Sequence, residues 1–215
     1  MSGVFDFPPG AFDRFDEDDD ALFYSFPRRV VHIDDGAIAA LGALYQELVP
    51  QHGQTLDLMA SWRSHLPSSF GGRLVGLGMN QEEMADNPQL SEIIVHDLNR
   101  DPRLPLPDAA FDAALCAVSV QYLTRPLEVF REVCRVLKPE APFVVAFSNR
   151  CFPQKAVALW RATSDEQHMA LIEVYFGAAG GFTAPVRRMF EPDHGDPLLA
   201  VWATRLPADG RESRP

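Results

Sequence analysis

The sequence predicts an α/β domain built on a doubly wound, seven-stranded sheet that ends in an antiparallel hairpin. Three observations carry that prediction. Five short runs rich in Val, Leu, Ile and Phe recur between residues 55 and 148, helical stretches alternate with them, and two more apolar runs follow one another near the end of the chain. Continuous apolar runs indicate strands buried on both faces, as parallel sheets require, whereas two adjacent strands joined by a short polar turn pair antiparallel. The chain has 215 residues, 47% of them hydrophobic, which suits a single folded domain.

Taken in order, the first twenty residues carry seven acids, Asp6, Asp13, Asp16, Glu17, Asp18, Asp19 and Asp20, against one base, Arg14. Residues 1–33 therefore read as a solvated acidic arm running into a lid segment, FYSFPRRVVHIDD, with apolar pieces (FDFPP, FDRF) able to dock. The domain proper spans residues 34–206. From Asp34, DDGAIAALGALYQELVP places Ile38, Leu41, Leu44, Tyr45 and Leu48 on one helical face, with Asp34 or Asp35 as N-cap and Pro50 beyond the end. The strands are TLDLMA (Thr55–Ala60), RLVGLG (Arg73–Gly78), EIIVHD (Glu92–Asp97), FDAALCAVS (Phe111–Ser119) and PFVVAFS (Pro142–Ser148). A helix starts at Pro126 and carries the stripe Leu127, Phe130, Val133, Cys134 and Leu137, and another covers roughly Asp165–Phe176. TAPVRRMFE and PLLAVWATRL flank the turn PDHGD and form the closing hairpin near Thr183–Leu206; residues 207–215 read as a disordered tail.

The charge balance narrows the partners. A formal charge of −11, with no Lys/Arg cluster, argues against nucleic acid, because phosphate contacts need concentrated positive charge. No apolar run approaches the ~20 residues of a membrane span, and MSGVFDFPPG lacks the basic start and apolar stretch of a signal peptide, so a cytoplasmic protein without membrane contact is expected. Cys116, Cys134 and Cys151 lie far apart in no metal-ligand spacing, so neither a disulfide framework nor a metal site is expected. A small-molecule partner follows.

The stretch DLNRDPRLPLPDAAFDAALCAVSVQYLTRPLEVFREVCRVLKPEAPFVVAFSN, Asp97–Asn149, resembles the class I S-adenosylmethionine-dependent methyltransferases of the type 11 kind. In that family an acid ends the third strand, "LPFPDxSFD" leads into the fourth, an exposed loop follows it, and "RVLKPGG" precedes the fifth; here these are Asp97, LPLPDAAFD, SVQYL and RVLKPEA. The resemblance implies a Rossmann-like fold and S-adenosylmethionine as cofactor. FYSFPRRVVHIDDGAI, DLMASWRSH, GLGMNQEEM and FSNRCFPQKA are further similar to one branch of the family, which extends the resemblance over nearly the whole chain without naming a substrate.

The cofactor motif departs from the family's pattern. Where the first strand should end in a glycine-rich "hDhGxGxG", the chain reads LDLMASWRSH: Asp57 is kept, but Met59, Ser61 and Arg63 occupy the glycine places. The acid that bonds the cofactor ribose at the end of the second strand is replaced by Gly78, followed by Met79 and Asn80. Two readings stand. In one, Ser61 and Asn80 replace the missing contacts, Met79 packs against the adenine, and Asp97 with Leu98 reads its edge. In the other, the cofactor site is retired on a surviving fold, and the chain is a non-catalytic module that binds a partner or ligand. The absent GxGxxG leaves a nicotinamide-dependent oxidoreductase as a weaker third.

On the first reading the cofactor residues are Asp57, Ser61, Gly78, Met79, Asn80, Asp97, Leu98 and Ser119, joined by Tyr24 and Arg28 from the lid. Arg28 either pairs with the cofactor carboxylate or is a surface residue beside Arg29. His32 and Tyr122 are the catalytic candidates, each with a structural alternative, and Tyr122, Asn149 and Arg150 are expected to face the substrate. Trp62, near His65 in the altered loop, either stacks on the cofactor or fills the volume left by the glycines. Cys151 reads as a buried thiol rather than a nucleophile.

Overall fold

The computed structural model describes residues 6–207. Its seven strands are β1 (Gln54–Leu58), β2 (Arg73–Gly78), β3 (Glu92–Val95), β4 (Ala113–Ala117), β5 (Pro142–Phe147), β6 (Val186–Phe190) and β7 (Leu198–Thr204). They form one sheet in the order β3-β2-β1-β4-β5-β7-β6. The first five are parallel, and β7 runs antiparallel between β5 and β6. This is the class I methyltransferase fold.

Two cores follow from the alternation of side chains along the strands. On one face Leu56, Leu58, Val75, Leu77, Phe143 and Val145 meet α4 (Pro126–Val136) and α6 (Asp165–Ala179) through Phe130, Val133, Ile172 and Phe176. On the other, Leu74, Leu115, Val144 and Ala200 are covered by Ala37, Leu41, Leu44 and Tyr45 of α2 (Asp35–Leu48). The Asp34 carboxylate caps α2 by accepting from Ala37 N at 2.9 Å. Ser164 and Gln167 form a reciprocal capping box at the start of α6. That helix runs three residues past the expected Phe176, to Ala179, where Gly180 ends it at φ 72°.

The strict alternation of strand and helix does not hold in the first half of the sheet. The β1–β2 and β3–β4 connections contain no helix, and the β2–β3 connection has only the short α3 (Gln81–Ala85). The β1–β2 loop is interrupted by Pro67, Gly71 and Gly72, so its backbone groups find partners elsewhere. Asn87 Nδ2 donates to Ser61 O at 2.9 Å and to Ser64 Oγ at 2.8 Å, and Gln89 Nε2 donates to Leu66 O at 2.8 Å.

The arm docks through its backbone and its apolar pieces, while Asp6, Asp13, Glu17, Asp18 and Asp19 stay exposed to solvent. Phe7 and Phe12 pack edge to face on each other and lie against Tyr175 of α6. Ala158 N and Leu159 N, which open the one-turn α5 (Ala158–Arg161), donate to Asp13 O and Ala11 O. Asp20 opens the one-turn α1 (Asp20–Phe23) and is buried. It accepts from Arg14 Nη1 at 2.7 Å and Asn99 Nδ2 at 2.9 Å, and lies 3.0 Å from the wholly buried ammonium of Lys155. Lys155 also reaches Asp16 Oδ2 at 3.0 Å and Asp18 O at 2.9 Å. Burial pushes the Asp20 carboxyl up, but the bonds from Asn99, Arg14 and Lys155 prevail and hold it below the usual carboxylate value. Asp20, the buried carboxylate of the arm, thus has cations beside it, so the arm docks without stranding a buried charge. Among the described residues no helix is long and apolar enough to cross a membrane. The expected disordered tail lies, from residue 208 onward, outside the described residues.

Candidate active site

The carboxyl ends of β1 to β4 converge beneath residues 20–33 and enclose a cavity. It brings together Tyr24, Arg28, His32, Asp57, Ser61, Trp62, His65, Gly78, Met79, Asn80, Asp97, Leu98, Ser119 and Tyr122. Asn149 and Arg150 are excluded and correct the expectation made for them: both are exposed and lie outside the cavity. The turn after β5 faces the hairpin, because β5 pairs with the antiparallel β7 on its outer side. Arg150 Nε donates to Asp196 Oδ1 at 2.8 Å, and Asp196 and Asp34, at the start of α2, each donate a backbone N–H to the other's carboxylate.

The cavity floor is strained. Met59 and Val118, just past the ends of β1 and β4, both take left-handed backbones, φ 56° and 52°. Such a conformation costs a non-glycine residue about 1–3 kcal/mol, and most of all a β-branched one. Met59 thus makes without a glycine the turn expected of one, and its side chain packs on the α4 and α6 core. The chain then returns toward β2, where Ala60 N donates to Leu77 O at 2.9 Å. This path closes the strand end. A Cβ on Gly78 would stand 2.3 Å from Ala60 O, so no acid fits where the family carries its ribose acid.

Ser61 and Asn80 are already partnered. Ser61 Oγ donates to Glu83 Oε2 at 2.6 Å. Asn80 Oδ1 caps α3 by accepting from Glu83 N at 2.9 Å, and its Nδ2 donates to Tyr24 O at 2.8 Å. Trp62 neither merely fills space nor lies loose: its Nε1 donates to Val30 O at 2.9 Å and clamps the loop to the roof. Arg28 N donates to Glu83 Oε1 at 2.6 Å, and its guanidinium lies 4.1 Å from the Phe23 ring centre and bonds the Phe23 carbonyl. Arg29 turns outward to Glu82 and Asp86.

Asp57 lies at 3% exposure with Oδ2 lacking a partner. Burial pushes its carboxyl up to about 7, opposed only by a bond from Ser64. Asp97 Oδ1 accepts from Asn99 N at 2.9 Å and Arg100 N at 3.3 Å, while Oδ2 has no protein partner among the described residues. Leu98, expected at the adenine edge, is 4% exposed and packs mainly in the core.

Beside Ser119 the cavity is aromatic. Tyr122 stacks on Phe152 at 6.2 Å, its hydroxyl accepting from Phe152 N at 2.8 Å, and His32 meets the same ring edge-on at 5.0 Å. Burial pushes the Tyr122 phenol up to about 12, so it is no base near neutrality. Burial lowers His32, against the nearby charge of Glu83, and lowers His65, there assisted by Arg63 and His32. Both imidazoles are therefore neutral at pH 7. Cys151 is half-buried and burial raises its thiol, as expected of an inert cysteine.

Sequence reasoning missed Glu83, Phe152 and Asn99. Glu83 stands three residues after Asn80, where an acid reads simply as part of a helix start, and Phe152 lay hidden between Cys151 and Pro153. Asn99 joins Asp20 to the Tyr122 carbonyl, a link between segments far apart in sequence.

A family model described as a methyltransferase domain matches residues 62–145, from the altered loop into β5. No curated protein matches the sequence. Among solved structures, a SAM-dependent methyltransferase from Aquifex aeolicus is 18% identical, with 80% of this chain and 99% of that one covered and a TM-score of 0.55. Phosphoethanolamine N-methyltransferase 2 of Haemonchus contortus, in complex with S-adenosyl-L-methionine, is 11% identical over 87% of this chain and 57% of that one, with a TM-score of 0.57. The 4+2 cyclase SpnF is 16% identical over 86% and 92%, also at 0.57. These likenesses establish the fold, and a fold alone does not name a reaction.

Proposed function

We propose that this chain, which has the class I S-adenosylmethionine-dependent methyltransferase fold, holds S-adenosylmethionine in the roofed cavity and transfers its methyl group to a small-molecule acceptor. Asp57 carries the reading. A buried carboxylate oxygen without a partner costs about 1–3 kcal/mol or more, and that cost is offset when a ligand brings a cationic N–H donor to it. The other cavity residues fit the rest of the cofactor: Arg28 its carboxylate, Met79 the face of its adenine, and the open Oδ2 of Asp97 the adenine amino group.

When bound, S-adenosylmethionine would supply a methyl group already activated on a sulfonium. The protein's task is alignment and exclusion of water. Trp62 and Asn80 hold the roof down through Val30 and Tyr24, and Ser119, Tyr122 and Phe152 form the wall against which an acceptor lies. His32, neutral and without a hydrogen-bond partner among the described residues, takes the proton of an acceptor that carries one. The non-catalytic alternative is not favoured, since the altered loop lines the cavity instead of filling it.

Calorimetric titration with S-adenosylmethionine and S-adenosylhomocysteine tests the reading, and both should give saturable heat. Arg28→Ala should weaken the cofactor while leaving the unliganded melting temperature nearly unchanged. Silence at millimolar ligand would move the assignment to a module that keeps the fold without the cofactor.

A further inference from the structure

Val30 and Val31 both line the cavity, yet they are 48% and 43% exposed, so they stand at its mouth and not in its interior. Single exposed valines call for no explanation. A pair at the opening of a cavity does, because the loop facing it is apolar as well: Trp62, half-buried, lines the same cavity, and its bond to Val30 O fixes the indole beside the valines. Arg63 lies over that indole, 4.4 Å from the ring centre, and is exposed.

His32 follows Val31 in the chain and carries the apolar rim inward to the aromatic wall. Phe152 and His32 are only half-buried and both line the cavity, with Tyr122 stacked behind Phe152. This wall holds no ionised group near neutrality, since the Tyr122 phenol is raised and the His32 imidazole lowered by burial. A charged group set against it would lose its water and gain no partner. The Tyr122 oxygen already accepts from Phe152 N, which leaves the His32 ring as the polar contact for a ligand there. A flat apolar group fits such rings, and the apolar surface continues from them to the mouth.

We infer that the acceptor is an uncharged arene with one hydroxyl, its ring lying against Phe152 with the hydroxyl toward His32, and an aliphatic chain leaving the cavity across Val30 and Val31. The assignment rests on the methyl-transfer reading above, which is what makes a second ligand an acceptor. The test is calorimetric titration of the full chain, alone and with S-adenosylhomocysteine, using phenol and 4-ethyl-, 4-butyl- and 4-hexylphenol as probes. In the wild type Kd should fall about three- to fourfold for each added methylene, the value of burying one. In the Val30→Ser/Val31→Ser double variant the gain should shrink to less than about twofold per carbon, while Phe152→Leu should weaken every member by a similar factor and keep the slope. 4-Butylbenzoate and 4-butylbenzylamine, charged in opposite senses, should bind at least about tenfold more weakly than 4-butylphenol.

A wild-type Kd independent of chain length, an unchanged slope in the double variant, or a charged probe binding as well as the phenol would each overturn the inference; the wild-type series decides even if a variant fails to fold. Co-sedimentation of the wild type, but not of the double variant, with phosphatidylcholine vesicles would make the valines a membrane contact and overturn it too. Heat from S-adenosylhomocysteine with none from any phenol would overturn this inference and leave the cofactor reading standing. Heat from the phenols with none from S-adenosylhomocysteine would overturn both, because the ligand would then have no methyl group to accept.

Discussion

The two halves of the sheet are held by different means. From β4 to β6 the connections carry helices whose own ladders satisfy the backbone: α4 with Pro126 in its first turn, and α6 with its Ser164–Gln167 box. From β1 to β3 the connections are mostly irregular, and their carbonyls are met by side chains of Asn87 and Gln89, while the overlying roof hangs on Glu83, Asn80 and Trp62. A helix is a local solution with a local sequence signature. A loop held by remote side chains is not, and it leaves an accessible cavity where a helix would pack.

The comparison predicts that single side chains matter more where they bridge segments than where they cap a helix. Lys155→Ala should have the largest effect, about 3–5 kcal/mol in urea unfolding, since Asp16 loses its ammonium partner and Asp20 keeps only Arg14, and limited proteolysis should then cut within residues 6–20. An arm that stays protected would show that Phe7 and Phe12 suffice to hold it.

Asp57 sharpens the contrast through pH. Its carboxyl is raised from 3.8 to about 7 by burial, so the fold favours the protonated form. The associated stability is present in full below pH ~4 and is lost as pH rises through about 7, a swing on the order of 4 kcal/mol. Asp57→Asn should match the wild type near pH 4 and exceed it near pH 8; parallel stability curves would mean Asp57 does not titrate in this range.

Asn87→Ala removes the bonds to Ser61 and Ser64 and should cost about 2–3 kcal/mol, read from the thermal midpoint, with altered tryptophan fluorescence as the Trp62 loop loosens. Ser164→Ala, the control in the other half, should cost only about 1 kcal/mol and leave the Trp62 loop and ligand binding unchanged. If the two losses came out equal, the distinction between the halves would fail.

What could be read from the sequence alone was what repeats locally. The five parallel strands, α2 with its Asp34 cap, the Pro126 helix and the hairpin all follow from periodicity and end signals, and each lies within a few residues of its expected place. Asp57, Asp97 and Tyr122 were legible because strand ends are, and open α/β sheets place ligands at their carboxyl ends. Asn149 and Arg150 satisfied the same rule and still fell outside the cavity, because the neighbour of β5 is decided by pairing, not by its own residues. Tertiary structure alone decided that the arm docks through Lys155, that the β1–β2 loop needs no helix, and that Glu83 faces the cavity while Glu82 faces out. The physical reason is that a local pattern states which side chains must leave water, whereas the choice of partner for a buried charge or an unpaired carbonyl is made by groups far away along the chain.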